Sequence, residues 1–270
     1  TGSTFDSNSN KVVIVCKAAS NYGTAIVGTV SGTNISFGSA VVYNSATSNF
    51  NAATFDSNSN KVVIAYQDGG NSYYGTAIVG TVSGTSISFG SEVVFNNANT
   101  SYPALTFDSN LNKVVLFYRD GGNSSYGTAI VGTVSGTSIS FGSEVVFEES
   151  LITRIAPSFN SNANNIVLFY GDDANSEYGT AIVGTVSGTT ISFGTPIVFS
   201  ATATTYFSST FDSNSNKVVS SYNANSSGKG IVFSPPSTNL TSENFIGIAS
   251  NGYASGQAAT INAKGFIDDN

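Results

Sequence analysis

Short runs of alternating apolar and polar residues dominate the chain, and none carries the i, i+3, i+4 spacing of an amphipathic helix. Residues 51–55 form an extended run that closes on Asp56-Ser57-Asn58, and residues 102–107 close on the same tripeptide, Asp108-Ser109-Asn110. Lys61-Val62-Val63-Ile64-Ala65-Tyr66 is a β-branched run bounded by Asn60 before it and Asp68-Gly69-Gly70 after it. Residues 76–82 predict a third strand, and Ser83-Gly84 signals a tight turn. Alternation resumes at Ile87-Ser88-Phe89 and runs toward Val93-Val94-Phe95. The pattern predicts four antiparallel strands joined by short turns.

This unit recurs. Phe5, Phe55, Phe107, Phe159 and Phe211 open copies of Phe-(Asp/Asn)-Ser-Asn-x-Asn at intervals of 50, 52, 52 and 52 residues. The string Gly-Thr-Ala-Ile-Val-Gly-Thr-Val-Ser-Gly-Thr starts at Gly23, Gly75, Gly127 and Gly179. Tandem four-stranded units of about 40–50 residues are the signature of β-propeller blades. An all-β fold is therefore expected: a five-bladed β-propeller of four-stranded antiparallel blades over residues 1–249, with repeats starting near 5, 55, 107, 159 and 211. Residues 250–270 are expected to form a short C-terminal β extension or a lead into a further domain. The innermost strands should line a central channel, which suits their small residues, such as Ala52-Ala53-Thr54 and Ser208-Ser209-Thr210. The fifth unit departs from the pattern: Ser234-Pro235-Pro236 replaces the Ser-Gly-Thr hairpin, and residues 245–249 are expected to supply its outer strand.

Compared with one another, the copies vary at two connections. One is the linker between units, at residues 44–49, 96–101, 148–154 and 200–205; the other is the second-to-third-strand loop, at 18–21, 68–73, 120–125 and 172–177. In an up-and-down blade both emerge on one face, which leaves the opposite face nearly uniform. Loops on a rigid scaffold are where binding concentrates, so the functional surface is expected on the variable face. There Tyr66, Asp68 and Tyr74 recur as Tyr118, Arg119, Asp120 and Tyr126, and again as Tyr170, Asp172 and Tyr178. A ring beside a carboxylate and neutral polar groups suits a sugar, the ring meeting C–H groups and the polar atoms fixing hydroxyls. The same residues also fit a packing role, with the rings between blades and the Asp closing a turn. The first unit (Cys16, Ala18) and the fifth (Tyr222, Ala224) lack the set.

Composition narrows the partners. Charged residues make up 9% of the chain, against about a quarter in ordinary globular proteins. Nine basic residues against 16 acidic ones give a net charge of −7, which opposes binding to a phosphate backbone, so no nucleic-acid partner is expected. No apolar run approaches the roughly 20 residues that span a bilayer, so no membrane insertion is expected. Histidine is absent, which removes Ser-His-Asp and Cys-His chemistry and imidazole metal ligation. Cys16 is the only cysteine and stands where other copies carry Tyr66, Tyr118, Tyr170 and Tyr222, so it reads as a packing substitution. Methionine is absent and Thr1 aligns with Pro103 inside a predicted strand, so the polypeptide is expected to continue upstream.

Two sharper readings compete with this one. Asp56-x-Asn58-x-Asn60 resembles the opening of a calcium loop, but Lys61 stands where that loop needs Gly, and Gln67 (Arg119 in the next copy) where it needs a bidentate Glu. Asx-turn chemistry accounts for the same residues, and no metal or cofactor is expected. Glycoside hydrolysis needs two carboxylates flanking one bond. The recurring Asp residues come one per unit, and Arg119 and Arg154 are too few for a sialidase-type arginine cluster. A non-enzymatic protein is expected, with a glycoside hydrolase as the remote alternative.

Residues 61–95, from Lys61-Val62-Val63-Ile64 through Tyr74-Gly75-Thr76 to Val93-Val94-Phe95, resemble repeats in structural and tail-fibre-like proteins of marine bacteriophages. The ending Phe245-Ile246-Gly247-Ile248-Ala249, with Gly256-Gln257-Ala258-Ala259-Thr260 after it, is similar to a segment near the C-termini of such virion proteins. The resemblance implies an extracellular virion structural or fibre protein that serves host attachment, with other virion subunits and a host-surface glycan as candidate partners. A purely architectural capsid or tail module and a secreted or cell-surface bacterial lectin are the alternatives. Blade number and aromatic-polar loops also give a likeness to five-bladed lectins of the tachylectin type.

Overall fold

The computed structural model describes residues 1–233; the outer strand expected at residues 245–249 and the extension expected at 250–270 lie outside the described residues. Nineteen β-strands and one 3-10 turn (Asp173–Asn175) follow one another. The strands pair antiparallel in five consecutive sheets. In sheet 2 the inner strand is the second half of Val41–Asp56, followed by Lys61–Asp68 and Tyr74–Ser83. The outer position is shared by Ser86–Phe89 and the first half of Val93–Asp108. Sheets 1, 3 and 4 repeat this order, and the described part of sheet 5 ends at its third strand, Ser227–Phe233. No helix among the described residues is long and apolar enough to cross a membrane.

The linkers between units, expected as loops, are strand. Val41–Asp56, Val93–Asp108, Val145–Asn160 and Ile197–Asp212 each run unbroken for 16 residues, as the outer edge of one sheet and then the inner strand of the next. The backbone can do this because it always has a partner: Thr24 pairs with Val42 in sheet 1, and Ala52 pairs with Ala65 in sheet 2. Where the strand changes sheets the register slips, between Asn49 and Ala52, between Thr153 and Ile155 and between Thr205 and Ser208. Such slips are β-bulges, which bend a strand and re-aim its side chains.

The recurring turns are built from their own side chains. Asp56 Oδ1 accepts the backbone N–H groups of Asn58 and Ser59 at 2.9 and 3.0 Å, and Asp6 and Asp108 do the same in their copies. Asn160 substitutes in the fourth copy with bonds of 3.1 and 3.0 Å. These are the Asx turns the sequence allowed.

Each sheet packs its rear face on the front face of the next. Val13, Val15 and Val27 of sheet 1 meet Val62, Ile64 and Ile87 of sheet 2. An aromatic pair marks every junction: Tyr43–Tyr66, Phe95–Tyr118, Phe147–Tyr170 and Phe199–Tyr222, with ring centroids 5.2, 5.1, 5.3 and 5.1 Å apart at tilted or edge-on angles. Pairs of this geometry add about 0.5–1.5 kcal/mol to the burial term. A backbone contact completes the junction. A Cβ on Gly38, Gly90 or Gly142 would fall 1.9 Å from the carbonyl oxygen of Thr85, Thr137 or Thr189, in the Ser-Gly-Thr hairpin of the next sheet. At these three junctions the hairpin and the glycine touch.

Among the described residues, the four core clusters join sheets 1 to 2, 2 to 3, 3 to 4 and 4 to 5, and none joins 5 to 1. The front of sheet 1 is correspondingly open: Ile35 is 43% exposed where Ile87, Ile139 and Ile191 are each 3% exposed. Phe5 and Phe37 lie on the same open front, and the free thiol of Cys16 occupies the tyrosine position there.

Candidate functional site

The two variable connections meet at one end of the strands. Ser48 N–H donates to Asn21 O, Gly69 N–H to Thr47 O, Gly121 N–H to Asn99 O and Thr204 N–H to Glu177 O, at 2.7 to 2.9 Å. Linker and loop therefore form one continuous surface, as the comparison of copies anticipated.

The aromatic and acidic residues expected to bind a ligand there divide by burial. Tyr66, Tyr118 and Tyr170 are fully buried. Their rings fill the junctions between sheets, so the packing role applies to them and no ring face is left for a sugar. Burial raises each phenol well above its ordinary pKa, and a carboxylate accepting its proton reinforces the shift. Tyr66 Oη donates to Glu92 and Tyr118 Oη to Glu144, both at 2.5 Å. In the fourth copy Pro196 stands where that Glu would be, and Tyr170 instead donates to Glu148 of the preceding linker at 2.9 Å. Asp68 and Asp120 are buried and accept the side-chain amides of Asn44 and Asn96 at 2.8 Å, and they also accept the N–H groups of Gly70 and Gly122. They close their loops. Asp172 accepts Ser150 Oγ at 3.0 Å. Tyr74, Tyr126 and Tyr178 are half-buried at the starts of their strands.

Arg119 leads elsewhere. Its guanidinium lies 5.0 Å from the ring centroid of Tyr102, and Arg154 lies 5.4 Å from the same ring. Arg154 also lies 4.9 Å from the ring of Tyr206, and Phe50 packs on Tyr102 with centroids 4.8 Å apart. Phe50, Tyr102, Arg154 and Tyr206 are the same position in four copies, the residue at the register slip. All four have left-handed backbone, with φ of 52°, 54°, 51° and 57°. This conformation costs an L-residue other than Gly about 1–2 kcal/mol, and strain of this kind clusters at functional sites. The outcome is a ladder of alternating apolar, aromatic and cationic groups crossing the inner strands on the variable face. Tyr206 is 71% exposed and Phe50 40%.

Polar side chains border the ladder. Lys17 Nζ donates to Asn49 Oδ1 at 3.1 Å, Asn49 Nδ2 to Gln67 Oε1 at 2.9 Å, and Gln67 Nε2 to Asn99 Oδ1 at 2.9 Å. At the far end a shallow hollow of about 560 Å³ opens beside Tyr206, lined also by Tyr222, Asn223 and Lys229. Rings, guanidinium groups and amides on one open surface can hold a flexible polar ligand of several rings. Of the predicted residues only Arg119 belongs to this surface. The other members carry little signal in the sequence because the position holds Phe50, Tyr102, Arg154 and Tyr206 in turn, an aromatic run broken by arginine, and no Gly marks their positive φ. Their common place in the 52-residue register was the one available signal.

No family model and no curated protein matches the chain. Among solved structures, a triple arginine-to-alanine variant of AofleA from Arthrobotrys oligospora superposes with a TM-score of 0.56 at 11% identity, covering 86% of this chain and 67% of that one. The Trypanosoma rangeli sialidase in complex with the inhibitor DANA gives a TM-score of 0.48 at 13% identity, covering 86% of this chain and 44% of that one. The likeness to AofleA establishes the fold class, an all-β propeller architecture.

Proposed function

We propose that the five sheets are five propeller blades, and that the chain is a non-enzymatic attachment module whose variable face binds glycans. The observation that carries this reading is the ladder from Phe50 to Tyr206: four strained positions align rings and a guanidinium on an open surface, beside amide groups suited to hydroxyls. The non-enzymatic part rests on the carboxylates: Asp68 and Asp120 each serve their own loop and do not converge on one bond. The setting, a virion structural or fibre protein facing its host, rests on the resemblance of residues 61–95 and 245–260 alone, with a secreted or cell-surface lectin as the alternative. A glycan array read with the wild-type chain and with Tyr102→Ala and Tyr206→Ala tests the binding role. Specific binding that falls roughly tenfold or more in both variants is expected; a blank array from folded protein would defeat it.

A second reading, an architectural module packed on neighbouring subunits, is favoured by the exposed apolar front of sheet 1. A map of the intact assembly in which another subunit covers the ladder would favour that reading over glycan binding.

A further inference from the structure

The basic residues are sorted between the two ends of the strands. Lys11, Lys61 and Lys113 open second strands at the uniform end, each donating to a threonine hydroxyl (Thr29, Thr81, Thr133) at 2.7 to 2.9 Å, and Lys217 opens the equivalent strand of sheet 5. The other four basic residues of the described chain are Lys17, Arg119, Arg154 and Lys229, and all four lie at or beside the ladder. A chain with a net charge of −7 has thus gathered half of its described cations around one strip.

The two arginines hold an unusual position. Both guanidinium groups lie within 5.4 Å of the centroid of one ring, Tyr102. Neither guanidinium forms an ion pair with a carboxylate among the described residues. Stacking on a ring engages the face of a guanidinium and leaves its edge N–H groups, the fork that takes a carboxylate in two parallel hydrogen bonds. Of the acidic side chains near them along the chain, Asp120 is committed to Asn96 and to its own loop and Glu148 to Tyr170, while Glu149 is exposed.

We infer that the ligand of the ladder is an acidic saccharide, whose carboxylate lies on Arg119 and Arg154 while its sugar rings rest on Tyr102, Tyr206 and Phe50. This rests on the glycan reading of the same site and adds its charge class. A carboxylate there gives each guanidinium the charged partner it lacks among the described residues, in a charge-assisted pair stronger than a neutral hydrogen bond. Lys17 and Lys229, at the two ends of the strip, extend its field along an oligomer.

The test is a binding titration of the whole chain against galacturonate, mannuronate and sialate oligomers, with neutral gluco- and galacto-oligomers of equal length alongside. At least one acidic oligomer should bind on the order of tenfold tighter than the neutral ones, and its affinity should fall as salt is raised past about 0.1 M. Arg154→Gln and Arg119→Gln should each weaken that binding by about tenfold or more. Lys61→Gln, which removes the same charge at the uniform end, should leave it unchanged. Equal affinity for acidic and neutral oligomers, or indifference to both arginine changes, would overturn the acidic class while leaving glycan binding intact. Failure of the folded protein to bind any oligomer would overturn both.

Discussion

At the scale of single residues, the tyrosines of the variable face separate into those that build and those that present. Tyr118 is fully buried against Phe95 and donates to Glu144. Tyr118→Ala should therefore cost about 3–5 kcal/mol in chemical denaturation, as large-to-small core changes do. Tyr206 is 71% exposed and holds left-handed backbone. Tyr206→Gly relieves that backbone while giving the unfolded chain more freedom, two effects of about 1 kcal/mol and opposite sign. Its stability should stay within about 1 kcal/mol of wild type while glycan binding is lost. Glu148 adds a pH signature. Burial holds its carboxyl above the ordinary range, and the charge of Asp172 pushes the same way. A carboxyl whose folded pKa is raised favours folding in its protonated form, and that contribution is lost as pH rises through the folded value. Glu148→Gln should melt higher than wild type near neutral pH and lose the advantage at about pH 4 and below, read by thermal melts across that range.

At the scale of elements, the junction between sheets is the repeated structural event. Ile139 is buried in the junction of sheets 2 and 3, and Ile35 is its exposed counterpart on the front of sheet 1. Ile139→Ala should cost about 2–5 kcal/mol and Ile35→Ala well under half of that, because only the first leaves a cavity. Gly90→Ala should destabilise at the same junction, since the new methyl would fall on the Thr137 carbonyl and the backbone there cannot swing aside as a side chain would. Much of this was legible in the sequence. Four strands per unit, the Asx turns at Asp56 and Asp108, the Ser-Gly-Thr hairpin and the gathering of the variable segments on one face all follow from local pattern and register. The continuous 16-residue strands were not legible. Asn44, Ser45 and Asn49 look like loop residues, and only pairing on both sides, first to Tyr22–Ser31 and then to Lys61–Asp68, makes them strand. The role of Tyr66, Tyr118 and Tyr170 depended on burial, which the motif alone does not determine. The ladder was hidden for a different reason: Arg154 breaks an otherwise aromatic position, and the contacts between successive rungs appear only once the inner strands are side by side.

At the scale of the whole molecule, one repeat has been put to two uses. Its uniform end ties lysines to threonines and turns on Asx motifs, and its variable end carries the ladder and the remaining described cations. The arrangement concentrates positive potential on one strip of an acidic protein, which steers an anionic ligand to that strip and makes capture sensitive to salt. The open front of sheet 1 is a separate apolar surface and lies on the packing face of its sheet, where no ladder residue stands. The most direct test of the account is a crystal structure of the chain with the tightest-binding acidic oligosaccharide. Sugar rings resting on Tyr102 and Tyr206, with a carboxylate on Arg154, are the expected result. A ligand lodged instead at the outer loops beside Tyr74 and Tyr126, or on the uniform face, would contradict it.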